Sequence, residues 1–170
     1  MGAGGVIFLP YLSGERTPNL PRGTGVFHGL NASNMTPNTM ARAVMEGATL
    51  GLAYGLNRLR SLGVKPTEIR LTGGGSKSQV WRQICADVFG VGVVCLATAE
   101  GAALGAALHG AWVDGLVNNP QYALTDLIEQ AVKPDESSQT QPVARSSELY
   151  QAIYSRFEGL TRSLADEGFL

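Results

Sequence analysis

The residues best suited to chemistry form one short run, Leu71-Thr72-Gly73-Gly74-Gly75-Ser76-Lys77-Ser78. Consecutive glycines let a backbone approach a phosphate closely, because no Cβ stands in the way. The N–H groups that open a helix point at whatever lies before them and favour negative charge there. Ser76 and Ser78 are both of the residue type that caps a helix through its hydroxyl oxygen. Gly73, Gly74, Gly75, Ser76 and Ser78 are therefore candidates for holding the phosphate end of a nucleotide, with Lys77 as a neutralising charge. The competing reading is a tight strand-to-helix turn that binds nothing, with Lys77 a solvated surface lysine. A lone glycine-rich turn leaves both open.

Two specific phosphate motifs are excluded. A P-loop needs Gly-Lys-Ser/Thr at the helix start, and here Ser76 separates Gly75 from Lys77. A dinucleotide fingerprint needs GxGxxG, and Ser78 stands where the last glycine belongs.

The run needs a strand before it and a helix after it. Glu68 to Thr72 reads as the strand, and Gln79 to Phe89 as the helix, with Val80, Trp81, Ile84 and Val88 on an apolar face and Gly90 as its stop. Upstream, Val6 to Leu12 and Val26 to Leu30 read as strands around a polar loop, Ser13 to Gly25. Thr36 caps a long helix with Pro37 at its first position, ending near Leu62 before Gly63. Gly47, Gly51 and Gly55 lie four apart on that helix, so something must pack close to its backbone. A helix or sheet is the simpler neighbour, and a ligand the alternative. Downstream, Val91 to Ala97 reads as a strand and Glu100 to Val113 as a helix. Its pairs Gly101/Gly105 and Ala102/Ala106 offer a second close-packing face. Leu116 to Val132 is a looser helical region, and Lys133 to Arg145 a polar loop. Leu149, Ile153, Phe157, Leu160 and Leu164 mark the apolar stripe of a final helix. Strands alternating with helices give an α/β class with a mixed sheet flanked by helices. With only about four strand candidates, the sheet reads as a partial one.

Composition narrows the function. At 170 residues and 44% hydrophobic content the chain can bury the core of one domain. A net charge of −1 without a basic block argues against a nucleic-acid partner. No segment approaches the roughly 18 unbroken apolar residues of a membrane span, and no leader pattern opens the chain. A cytoplasmic protein is expected. Cys85 and Cys95 have no partner at metal-ligand spacing and read as buried small hydrophobes. His28 and His109 lack a serine or carboxylate at catalytic spacing and read as structural. Trp81 and Trp112 read as core anchors, and Arg42 with Glu46 as a helix-surface ion pair. Glu15 and Arg16 read equally as cleft-facing charges or as ordinary surface charges.

Four blocks in order resemble the FGGY family of carbohydrate kinases. Gly25-Val26-Phe27-His28-Gly29-Leu30, followed by Thr39-Met40-Ala41-Arg42-Ala43-Val44-Met45-Glu46, resembles the family's second signature, with Thr39 departing from the expected acidic, amide or His residue. Phe8-Leu9-Pro10-Tyr11-Leu12-Ser13-Gly14-Glu15-Arg16-Thr17-Pro18 is similar to a loop of the xylulose-phosphorylating members. Leu71 to Ser78 with Val80-Trp81-Arg82-Gln83 resembles the adenosine-binding turn, and Gly101 to Ala107 the small-residue helix after it. The resemblance runs from about residue 5 to 115 and continues weakly to the last helix.

It implies a partial ribonuclease H-like domain of the actin-like ATPase fold. Residues 1–170 would be the later part of a C-terminal nucleotide-binding domain, without the N-terminal sugar-binding domain. The implied reaction is transfer of the γ-phosphoryl group of ATP, with Mg2+, to D-xylulose; ribulose, glycerol or gluconate are the alternative acceptors. Gly74 and Gly75 would approach the α-phosphate and ribose, and Ser78 the adenine. No catalytic residue is assigned, because the general-base aspartate is expected upstream. Positioned base catalysis is worth about 10²–10⁴-fold, so the 170-residue chain alone is expected to be inactive. A non-catalytic nucleotide-binding or assembly module is the rival from another class, if the start at Met1-Gly2-Ala3-Gly4-Gly5 marks a genuine short product and not the remainder of a longer one. Open strand edges would favour self-association, a homodimer being its simplest form.

Overall fold

The computed structural model describes residues 1–98 and 100–170. Along the chain run β1 (Ile7–Pro10), β2 (Gly25–His28), α1 (Pro37–Ser61), β3 (Ile69–Leu71), α2 (Gln79–Phe89), β4 (Val93–Leu96), α3 (Gly101–Asn118), α4 (Leu124–Ala131), β5 (Pro134–Thr140) and α5 (Ala144–Asp166). Short 3-10 turns occupy Gly2–Gly5 and Gly74–Lys77. Strands β1 and β2 pair antiparallel. A second, mixed sheet has β4 at its centre, parallel to β3 and antiparallel to β5. The α/β class and the mixed sheet are as the sequence predicts.

Local chemistry accounts for the helix ends. Thr36 sits in extended backbone and its hydroxyl oxygen accepts from the Thr39 N–H at 3.2 Å. Thr39, the departing residue of the signature, completes this cap by taking the Thr36 hydroxyl at 3.1 Å. Gly90 ends α2 in the left-handed conformation that a C-terminal glycine adopts readily.

Helix α1 lies across β1, and the glycine stripe explains how. A Cβ on Gly47 would overlap the Phe8 carbonyl, and one on Gly51 would stand 3.3 Å from Pro10 Cγ. Gly55 would meet nothing within 4 Å, so the expected close neighbour exists for only two of the three glycines. Leu9, Tyr11, Leu50 and Phe157 form one buried cluster between β1, α1 and α5. Ala53, Cys85, Ala86, Phe89 and Val93 form a second between α1, α2 and β4. Both cysteines are free and buried, as expected.

Four expectations need correction. Residues 133–145 are not merely a loop, because Pro134–Thr140 is strand β5. Its polar composition hid it; Ser138 accepts the buried Cys95 N–H at 2.7 Å through its hydroxyl, so side chain as well as backbone completes the pairing. The stripe of α5 begins at Tyr150, not Leu149, which is 41% exposed. At about 3.6 residues per turn, two steps of four drift off the face, whereas Tyr150 lies close to two full turns before Phe157. Arg42 and Glu46 are not a surface pair, since Glu46 is 2% exposed. Its Oε1 accepts from Arg42 Nε at 2.6 Å, the Tyr150 hydroxyl at 2.8 Å and the Gly2 N–H at 3.0 Å. Burial and this bond to Glu46 push the Tyr150 hydroxyl pKa well above its ordinary value. Finally, the small-residue face of α3 is packed only at its first glycine: a Cβ on Gly101 would meet Thr72, whereas Gly105 has open space where a Cβ would stand, and among the helix's described residues only Leu108 is buried.

No helix among the described residues is long and apolar enough to cross a membrane.

Candidate functional site

Strands β3 and β4 run parallel, so their carboxyl ends share one edge of the sheet. In open α/β sheets, ligand crevices form outside that edge. The glycine run leaves β3 there, and α3 begins there after β4. The two meet: a Cβ on Gly101 would stand 2.9 Å from Thr72 Oγ1.

Two of the three glycines of the run are required by the fold itself. Gly73 has φ 86 and ψ 179, which is open essentially to glycine alone. Gly75 lies under the Trp81 indole, whose ring carbons would stand 3.0 Å from an added Cβ. Gly74 has neither constraint. Its φ is ordinary, and nothing within 4 Å would meet a Cβ there. Gly73 and Gly74 are exposed. The turn thus presents bare backbone outward, with the opening N–H groups of a 3-10 turn that have no intrahelical acceptor.

The serines serve the turn itself. Ser76 Oγ donates to the Gly73 carbonyl at 2.7 Å, which replaces the helix cap expected of it. Ser78 is the cap of α2: its hydroxyl oxygen accepts from the Trp81 N–H at 3.3 Å. Lys77 is exposed.

Three side chains brace the turn from within the fold. Trp81 Nε1 donates to Thr49 Oγ1 at 3.0 Å, fixing the indole against α1. Arg82 Nη1 donates to the Ser76 carbonyl at 2.9 Å and reaches the Lys77 carbonyl at 3.4 Å. Cys95 Sγ lies 3.4 Å from the same Ser76 carbonyl. Arg82 falls within the sequence block that resembles the adenosine-binding turn, but no role for it was legible there. The available signal was a cation near the start of a helix, where the helix dipole disfavours one and a specific acceptor must hold it.

Other candidates resolve to structure. Glu15 Oε1 accepts from the Arg16 N–H at 2.7 Å and the Thr17 N–H at 3.3 Å, so it organises its own loop. His28 is exposed, and the His109 ring lies tilted at 56° to the Trp112 indole with ring centroids 5.7 Å apart. Trp81 and Trp112 are half-buried, and the Trp112 indole donates to the Tyr122 carbonyl at 2.9 Å. Among the described residues no group of three or more His, Cys, Asp or Glu could hold a metal ion.

The family model for the FGGY family of carbohydrate kinases, C-terminal domain, matches residues 1–113. The chain belongs to the FGGY family of carbohydrate kinases. It is 42% identical to a xylulose kinase of Haemophilus influenzae over 92% of this chain and 31% of that protein. The crystal structure of a ligand-bound xylulose kinase from Lactobacillus acidophilus superposes with a TM-score of 0.83 at 32% identity, over 96% of this chain and 32% of the other. A gluconate kinase from the same organism gives a TM-score of 0.82, also at 32% identity, over 96% of this chain and 32% of its own. The chain therefore spans about a third of the length of the relatives it matches. Its architecture is that of FGGY kinases, which have the actin-like ATPase fold.

Proposed function

We propose that this chain forms part of the ATP site of a sugar kinase whose acceptor is D-xylulose. The observation that carries the reading is Gly74, a glycine that neither backbone conformation nor a neighbour within the fold requires. A ligand approaching the bare turn from outside supplies the missing reason. Gly73 and Gly75 shape the turn, and Ser76 and Ser78 hold it through their hydroxyl bonds to the Gly73 carbonyl and the Trp81 N–H. The N–H groups that open this exposed turn suit a phosphate, and the start of α3 lies beside it.

The family's chemistry supports ATP as phosphoryl donor. Phosphoryl transfer depends on positioning and on neutralising charge more than on covalent help from the protein. Magnesium would arrive on the nucleotide phosphates, keeping most of its water shell, and supplies charge neutralisation there. The sugar pocket and the general base belong, in this reading, to a longer polypeptide, with residues 1–170 as the later part of its C-terminal domain.

The test is coupled ADP release by the complete gene product, with D-xylulose, ribulose, glycerol and gluconate in parallel and residues 1–170 alone as control. Release that depends on D-xylulose, and only in the longer protein, supports the reading. Gluconate is the second acceptor, because the gluconate kinase matches this chain nearly as well as the xylulose kinase does. Release that depends on gluconate would move the assignment there, and no dependence on any acceptor would leave a binding module. In the complete protein Gly74→Val should weaken ATP binding at least about threefold, or roughly 0.7 kcal/mol. A smaller effect removes the turn from the nucleotide site.

A further inference from the structure

The ion pairs among the described residues are Arg42 with Glu46 and Arg70 with Glu68; Arg82 is in neither. Its guanidinium is held instead by main-chain oxygens of the glycine turn, Ser76 at 2.9 Å and Lys77 at 3.4 Å. Its Nε is buried and has no hydrogen-bond partner among the described residues. A guanidinium keeps its charge in any protein setting. An uncompensated cation near the start of a helix opposes the helix dipole. Among the described residues no carboxylate lies within 4.0 Å of its guanidinium to offset that opposition.

We infer that Arg82 is the positioning cation of the glycine turn, and that it tunes the turn for a nucleotide polyphosphate. This rests on the proposal that the turn holds ATP. Two physical effects follow from the contacts. By holding the Ser76 and Lys77 carbonyls, Arg82 fixes the backbone of the turn, whose opening N–H groups at Gly74 and Gly75 precede the first N–H used within it, that of Ser76 to the Gly73 carbonyl. It also sets a fixed positive charge beneath a surface that an anion would approach from the other side, where a part-buried charge is screened less than a surface one. Lys77, exposed on the same turn, is free to move with solvent and lacks this preorganisation. The Cys95 thiol, 3.4 Å from the Ser76 carbonyl, adds a weak neutral contact and no charge.

The experiment uses the complete protein and compares Arg82→Gln, Arg82→Lys and Gly74→Val by steady-state kinetics, varying ATP and sugar separately, with thermal unfolding alongside. Arg82→Gln keeps a donor but loses the charge. It should raise KM for ATP about tenfold, the scale of a charged hydrogen bond, while KM for the sugar stays within about twofold. Arg82→Lys keeps the charge but not the fork, and should fall between at about threefold. An unchanged KM for ATP in Arg82→Gln, beside a raised one in Gly74→Val, overturns the inference and leaves the nucleotide reading standing. If neither Arg82→Gln nor Gly74→Val alters KM for ATP, the nucleotide reading itself has failed. Equal rises in both KM values with a lowered Tm would make Arg82 a general structural residue and overturn the inference. Should Arg82→Gln not fold, Arg82→Lys decides: a KM for ATP equal to the parent's sinks the proposal.

Discussion

At Glu46 one carboxylate oxygen collects donors from three parts of the chain: Arg42 on its own helix, Tyr150 on α5 and the Gly2 N–H. Removing it takes the acceptor from Arg42 Nε and from the buried Tyr150 hydroxyl, and leaves the guanidinium only its 2.9 Å bond from Nη2 to the Tyr150 hydroxyl oxygen. Glu46→Ala should therefore destabilise by about 3 kcal/mol, and Tyr150→Phe by about 1–2 kcal/mol, in urea unfolding. The spacing of Arg42 and Glu46 was legible in the sequence; their burial was not, because the covering tyrosine lies 104 residues beyond Glu46. Cys85 offers a pH test. Burial pushes its thiol from 9.0 up to about 11. The folded state then keeps a proton that the unfolded chain loses, so this contribution is complete below pH 9 and is lost as pH rises from 9 to about 11. Cys85→Ala should remove about 2–3 kcal/mol of that decline, seen as a shallower fall of unfolding free energy between those pH values.

The glycines of α1 separate two effects within one element. Gly47→Ala would drive a methyl into the Phe8 carbonyl and force α1 off β1. A loss above about 3 kcal/mol is expected, despite the better helix propensity of alanine. Gly55→Ala meets open space and should stabilise by about 0.5–1 kcal/mol. Chemical denaturation of both variants checks the pair, and equal effects would mean that the stripe does not pack as described. The four-residue spacing announced a close approach, yet it could not say which glycine was pressed, since that depends on where β1 crosses. Helix α2 was legible from end to end, because Ser78 and Gly90 are local signals that act within a turn of the helix. Strand β5 was not legible. Pro-Asp-Glu-Ser-Ser-Gln-Thr has no apolar alternation, and its partner β4 is separated from it by α3 and α4.

Across the whole molecule the cluster between β1, α1 and α5 and the one between α1, α2 and β4 are joined by Val88 and Tyr154, which pack against both. The α3–α4 arm stands apart from this centre: among its described residues Leu108 alone is buried in α3 and none in α4. Amide hydrogen exchange should accordingly be faster along α3 and α4 than along α1, α2 and the middle of α5. Uniform protection over all the helices would contradict that division. The family was legible from four short blocks, whereas the exposure of the arm was not, since apolar Ala-Gly-Leu sequence reads as buried wherever its neighbours are unknown. The Trp81 indole, wedged against Gly75 and tied to Thr49, has one more consequence. The chain has two tryptophans, and the other, Trp112, lies on the exposed arm. Replacing Trp112 with phenylalanine would leave in this chain a single tryptophan, in contact with the glycine turn and excitable apart from the tyrosines, so that a shift of the turn's backbone would register as a change in its emission wavelength or lifetime, a native optical gauge that needs no added dye.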